Sequence, residues 1–216
     1  MAISQKKRQK RLEKKKAKRK SAAAARKGTG DLSRANLMAV ARQAPIHECL
    51  VRKAICDQGI GDLVISKRLP EGYIAMSAFL VDTYCLGIKN TFFSVTAEKK
   101  YRDHIEKLEQ NEEMETIHPS CALKLVEKAV DYARDLGFEP HPDYRFTRKI
   151  FGDIESDACP RRFEFGKDGK PFYVSGPYET PEEILKIINT LDRTRGKDNF
   201  HYLTTIHPDM LGDMDE

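Results

Sequence analysis

The sequence lacks long hydrophobic runs. Although 40% of its 216 residues are hydrophobic, no apolar run approaches the ~20 residues that a membrane-spanning helix needs. The basic N-terminus is followed by no apolar stretch of signal-peptide length, so we expect no secretory signal. These absences predict a protein without membrane insertion, located in the cytoplasm, or in the nucleus if the source is eukaryotic.

Motifs for cofactors and covalent catalysis are also missing. There is no phosphate-binding loop and no nucleophile elbow, and Gly59-x-Gly61 lacks the third glycine and the following helix of a dinucleotide fingerprint. We therefore expect no cofactor. The chain contains no CxxC, and its five cysteines are irregularly spaced. An odd number of cysteines in a chain with no export signal predicts reduced thiols.

A metal site has little support in the sequence. His118 and Cys121 are weak candidate ligands. They straddle a predicted helix start, whereas zinc sites normally show two close ligand pairs on turns. This spacing favours structural roles for both residues, and we expect no metal.

Acidic residues are nearly absent from residues 1–30, so positive charge is concentrated there, although the net charge of the whole chain is only +5. This basic tail contains one acid, Glu13, and 13 cations: Lys6, Lys7, Arg8, Lys10, Arg11, Lys14, Lys15, Lys16, Lys18, Arg19, Lys20, Arg26 and Lys27. The other 186 residues contain 25 Lys and Arg against 32 Asp and Glu. Such a division predicts a polyanion-binding tail on an acidic body.

The tail also lacks an apolar stripe and aromatic residues. Its residues are good helix formers, but like charges repel and no apolar face would pack, so we expect it to be disordered or conditionally helical. Without aromatic side chains it should contact phosphates and not read bases. The charge pattern leaves other roles open for the tail. It could serve solubility or targeting, or it could bind an anionic membrane surface or an acidic protein.

The body is predicted to have an α+β fold, mainly an antiparallel sheet with several packed helices. Residues 31–110 form a strand-rich half that ends in a helix, with strands at 48–55, 62–69 and 72–88, and the turn signal Pro70-Glu71-Gly72 predicts a hairpin between the last two. An acidic link at 111–117 leads to a helix-helix-hairpin-helix half at 118–196. The helical spacing of Leu123, Val126, Val130 and Ala133 predicts its first helix. Thr180-Pro181-Glu182-Glu183, with Thr180 as the cap, predicts the start of its last helix. The hairpin of this half would pair 161–165 with 171–175 around an Asp-Gly turn. An acidic segment, 197–216, follows. The sequence leaves open whether the two halves form one domain or two.

A second group of cations lies in the body. Arg145, Arg148 and Lys149 share one face of a helix predicted over residues 143–154, and Arg161 and Arg162 follow. This face could position a nucleic acid that the tail has captured. A solvated face paired with nearby acids explains the same residues.

Two acids are candidates for catalysis. Asp82 lies within the apolar run FLVDTYCLG and must be hydrogen-bonded, paired or protonated there. Asp153 is the other candidate. Buried acids occur at active sites and as structural anchors, and no motif around Asp82 supports catalysis, so a structural role is favoured.

The sequence therefore predicts a non-enzymatic protein that binds RNA, or a ribonucleoprotein such as the ribosome. DNA is a second candidate, but no helix-turn-helix or zinc-finger pattern is present. A further protein partner could contact the acidic body. The alternatives are an enzyme acting on nucleic acid or a nucleotide through a buried Asp82 or Asp153, and a protein–protein regulator such as an antitoxin-like or anti-phage component.

Overall fold

The computed structural model describes residues 33–204. Residues 1–32, which include the basic tail, and residues 205–216 lie outside the described residues, as do the predictions made for them. The chain divides into two compact units, Met1–Ala39 and Val40–Glu216. In the first unit the described residues are 33–39, most of which belong to the first helix.

The described residues form α-helices and β-strands whose lengths differ widely. The α-helices are α1 (Arg34–Gln43), α2 (Ile55–Gln58), α3 (Glu98–Glu109), α4 (Pro119–Asp135), α5 (Tyr144–Thr147) and α6 (Pro181–Arg195). The strands are β1 (Ile46–Arg52), β2 (Ile60–Arg68), β3 (Tyr73–Asp82), β4 (Gly87–Ala97), β5 (Met114–Thr116), β6 (Phe172–Val174) and β7 (His201–Leu203). Short 3₁₀ turns occupy Pro70–Gly72, Arg148–Phe151, Ser156–Ala158 and Lys197–Asn199.

A five-stranded antiparallel sheet organises the second unit. Its strand order is β4-β3-β2-β1-β5, and β2 and β3 form the hairpin expected from Pro70-Glu71-Gly72. The predicted α+β fold with an antiparallel sheet is confirmed. The acidic link contains the short strand β5, which was not predicted. It pairs antiparallel with β1 at the edge of the sheet.

Helices cover both faces of this sheet. On one face, Tyr101 and Ile105 of α3 pack with Val64, Ile74 and Met76 of the strands. On the other face, α4 buries the apolar positions that its helical spacing predicted, Leu123, Val126, Val130 and Ala133. Because helices cover both faces of the sheet, the side chains that point to either face are apolar, and the strands read as continuous apolar runs.

The prediction of one long strand over residues 72–88 is wrong. The chain leaves β3 at Asp82 and returns as β4 from Gly87. Gly87 adopts φ +67°, and a Cβ added there would lie 2.8 Å from the carbonyl oxygen of Ala129. The four turn residues, 83–86, include no Gly, Pro, Asn, Asp or Ser and lie between two apolar strands, so the strands read as one despite Asp82 and Gly87 at the ends of the turn.

The predicted hairpin around the Asp-Gly turn is also wrong. The turn forms, with Asp168 and Gly169 at positive φ and a bridge between Lys167 and Lys170, but the predicted strands 161–165 and 171–175 do not pair with each other. Gly166 donates its N–H to the carbonyl of Thr83, and Phe172 donates to that of Tyr84. Strand β6 instead pairs in parallel with β7, which lies in the segment predicted only as acidic.

The helix predicted over residues 143–154 is shorter than expected. It consists of α5 and the 3₁₀ turn Arg148–Phe151. The carbonyl of Thr147 accepts a hydrogen bond from the hydroxyl of Ser77 on β3, and Gly152 has φ +65°. The positive φ of Gly152 ends the helical turn there, and the carbonyl of Thr147 contributes to the contact with the sheet.

The expectation of five reduced thiols is wrong. Cys121, in the first turn of α4, forms a disulfide with Cys159, and their Cα atoms are 5.0 Å apart. The other three cysteines, Cys49, Cys56 and Cys85, are free. The pairing brings together residues 38 positions apart, so local spacing could not reveal it.

Candidate functional site

The basic tail, which contains the strongest candidates, lies outside the described residues, so the structure places only the cations of the body. Arg145 and Arg148 line a depression of about 470 Å³ between α4 and α5, together with Glu127, Asp131 and Asp157. The guanidinium of Arg148 bonds to the carboxylate of Glu127. This depression therefore carries charges of both signs.

The other three predicted body cations do not line this depression. Lys149 is exposed on the 3₁₀ turn after α5. Arg161 and Arg162 are exposed just after Cys159 and do not line the depression. The guanidinium of Arg161 lies 5.7 Å from the ring centroid of Phe163. Of the predicted cations, Arg145 and Arg148 thus share one depression, and Lys149, Arg161 and Arg162 lie outside its lining.

Asp82 closes the turn between β3 and β4. Its Oδ1 atom accepts N–H bonds from Tyr84 at 2.9 Å and from Cys85 at 2.8 Å. Burial raises the pKa of this carboxyl to about 6, against the lowering effect of the N–H bond from Cys85. Because its oxygen is engaged by the turn that it stabilises, the geometry fits the structural role.

Asp153 does not fit the hypothesis of a buried catalytic acid. Its side chain is 78% exposed and pairs with the guanidinium of Arg42 at 2.7 Å. The description of Asp153 as buried is therefore wrong.

The candidate metal ligands are used in other ways. Cys121 is bonded to Cys159, and Nδ1 of His118 caps α4 by accepting the N–H of Ser120. Within residues 33–204, no group of three or more His, Cys, Asp or Glu side chains is arranged to hold a metal ion.

A groove that sequence reasoning missed lies beside α6. It measures about 480 Å³ and is formed by the start of β4, the loop from Gly137 to Pro142 and the first turns of α6. An ion pair lies in its wall: Nζ of Lys89 is 2.8 Å from Oε1 of Glu179, and both side chains are at most one-fifth exposed. The only sequence signal was a lysine directly after Ile88 in an apolar run.

The Glu179 carboxylate is held by three donors. Besides Lys89, the hydroxyl of Tyr173 and the N–H of Gly176 donate to it. Burial acts to raise its pKa, but these hydrogen bonds outweigh burial and lower the pKa. Glu179 is therefore held as an anion, which in turn holds Lys89 in the groove wall.

The capping box at the start of α6 positions the same wall. Thr180 accepts the N–H of Glu183, as expected of the predicted cap, and the Glu183 carboxylate accepts the N–H of Thr180, which completes a capping box. Ile184, Ile188 and Leu191 anchor the helix in a core with Tyr173 and Phe200. The groove thus stands on a well-packed helix.

No helix within the described residues is long and apolar enough to cross a membrane. Comparison of the chain with models of known protein families, with curated proteins and with solved structures finds no match.

Proposed function

We propose that the protein binds RNA, free or within a ribonucleoprotein such as the ribosome, through its basic tail. The observation that carries this proposal is the segregation of charge: 13 cations and one acid lie within residues 1–30. Each cation that neutralises a phosphate releases a counterion, so the binding is strong at low salt and falls steeply as salt rises.

The charges of the body support a division of labour between tail and body. Among residues 33–204, ten lysine and arginine side chains pair with carboxylates. These residues contain 25 cations and 27 acids. A surface balanced in this way has no surplus of positive charge, so the attraction to phosphate has to come from the tail.

The composition of the tail favours folded RNA and backbone contacts. It has no aromatic side chain with which to stack a base, and long basic extensions suit the irregular grooves of folded RNA. Specificity then belongs to the body, where Arg145, Lys149, Arg161 and Arg162 remain exposed.

Co-sedimentation with ribosomes across a salt series tests the proposal. We expect the full chain to sediment at low salt, and its affinity to fall about 10³-fold or more between ~50 and ~200 mM salt if six or more phosphates are contacted. A chain with the tail cations replaced by glutamine keeps the length but loses the charge, and should stay in the supernatant at all salt concentrations. The double variant Lys99→Gln/Lys100→Gln, at exposed positions on α3 outside the proposed RNA-binding residues, is the control in the body and should keep the salt slope of the full chain.

Retained association of the tail variant would refute the proposal, as would affinity that does not change with salt. Sequencing of the RNA that sediments with the full chain identifies the partner. DNA bound as tightly as RNA in a competition at equal salt would overturn the preference for RNA.

A further inference from the structure

We propose that the groove beside α6 binds a small organic anion whose charged head is attached to an apolar body. The proposal is independent of RNA binding, because it depends only on residues of the second unit. It follows from the shape of the groove and from the hydrogen bonds made by its charged side chains.

The groove has the size and the apolar surface of a small-molecule site. Its volume of about 480 Å³ lies within the roughly 300–1,000 Å³ usual for such sites. Leu86 from the turn before β4, Ile88 from β4, Phe138 from the loop and Ile187 from α6 line it. Four large apolar side chains provide a surface for a hydrocarbon portion of the ligand.

The carboxylates that line the groove all have partners within the protein. Glu179 is held by Lys89, Tyr173 and Gly176. Glu183 accepts the N–H of Thr180, and Glu139 pairs with Arg134. Each of these carboxylates thus already has a donor within the protein, which leaves fewer free acceptor positions for a cationic ligand.

Hydrogen-bond donors, by contrast, remain free in the groove. The Lys89 ammonium has three protons, and its bond to Glu179 uses one. Nδ1 of His141 accepts the N–H of Asp143, so the neutral ring carries its proton on Nε2. Among the described residues, no hydrogen bond or ion pair engages Nε2 of His141 or the ammonium of Lys186, which is exposed on α6.

The surplus of donors determines the chemistry of the ligand. Two ammonium groups and an imidazole N–H border an apolar surface, and an anionic head such as a carboxylate or a phosphate would satisfy them. Because Lys89 is fixed by Glu179, its remaining protons are held in place before a ligand arrives. A pre-organised donor loses little side-chain entropy on binding.

Titration of the ¹⁵N-labelled full chain, followed by NMR, tests the proposal with defined probes. Octanoate and octyl phosphate present the two anionic heads on the same chain, octylamine presents a cationic head, and acetate lacks the apolar body. We expect at least one of the octyl anions to shift the amides of Lys89, Phe138, His141 and Lys186 saturably at millimolar concentration. Comparison of the two anions shows which head the groove prefers, and octylamine and acetate should not shift these amides.

Two variants with the same change in charge separate the groove from the rest of the surface. Lys186→Glu should weaken binding about fivefold or more, because it replaces a donor in the groove by an acid. Lys99→Glu, at an exposed position on α3, should leave binding unchanged. Equal binding of octylamine, shifts confined to other residues, or unchanged affinity in Lys186→Glu would overturn the proposal, as would the absence of shifts with both octyl anions.

Discussion

The Cys121–Cys159 disulfide is expected to make a large contribution to the stability of the protein. It joins residues 38 positions apart, and both side chains are buried. Closing a loop of this length lowers the entropy of the unfolded chain by an amount equivalent to about 4 kcal/mol at 25 °C. In a domain of this size, a loss of that magnitude lowers Tm by about 10 °C.

Urea unfolding of the oxidised protein, the protein reduced with dithiothreitol and the variant Cys121→Ala/Cys159→Ala measures this contribution. We expect the reduced protein and the variant to lose about 2–5 kcal/mol relative to the oxidised protein. Cys56→Ala is the control, because Cys56 is a free and exposed cysteine, and its stability should be unchanged and still sensitive to dithiothreitol. The same reductant should have no effect on the double variant.

Peptide mapping without reduction identifies the bonded cysteines directly. Alkylation of Cys121 and Cys159 in the folded protein before any reductant is added would refute the disulfide. A loss below about 1 kcal/mol on reduction would refute the loop-closure reasoning even if the bond were present.

Two further predictions concern the turn between β3 and β4. Because burial raises the pKa of Asp82 from 3.8 to about 6, the protonated carboxyl favours folding, and this stability is present below about pH 4 and is lost as pH rises through about 6. In the unsubstituted protein the free energy of unfolding should therefore fall over that pH range by on the order of 3 kcal/mol, and Asp82→Asn should remove most of this fall. Urea unfolding at a series of pH values measures it, and an equal fall in the unsubstituted protein and in Asp82→Asn would contradict the assignment. Gly87→Ala should destabilise more than Gly72→Ala by about 1–3 kcal/mol, since both glycines have positive φ but only the Cβ at Gly87 would clash, at 2.8 Å from Ala129 and Ala133. Equal urea midpoints of the two alanine variants would show that the clash is relieved.

Elements with a strong local pattern were predictable. The helical spacing of Leu123, Val126 and Val130 identified α4, and a Thr180 cap followed by a proline and two acids identified the start of α6. These signals succeed because a helix makes its hydrogen bonds and its caps within a few residues. Where partners are distant the predictions failed, as for β6, whose partner β7 lies beyond α6.

The same distinction between local patterns and distant contacts applies to the candidate sites. The sequence by itself determined that positive charge is concentrated in residues 1–30, because charge is a property of each residue and needs no fold. Only the tertiary structure decided that Cys121 meets Cys159, that Asp153 is exposed, and that Lys89 meets Glu179 across 90 residues to border a groove. Contacts of this kind depend on the packing of whole elements against one another, which no local spacing encodes.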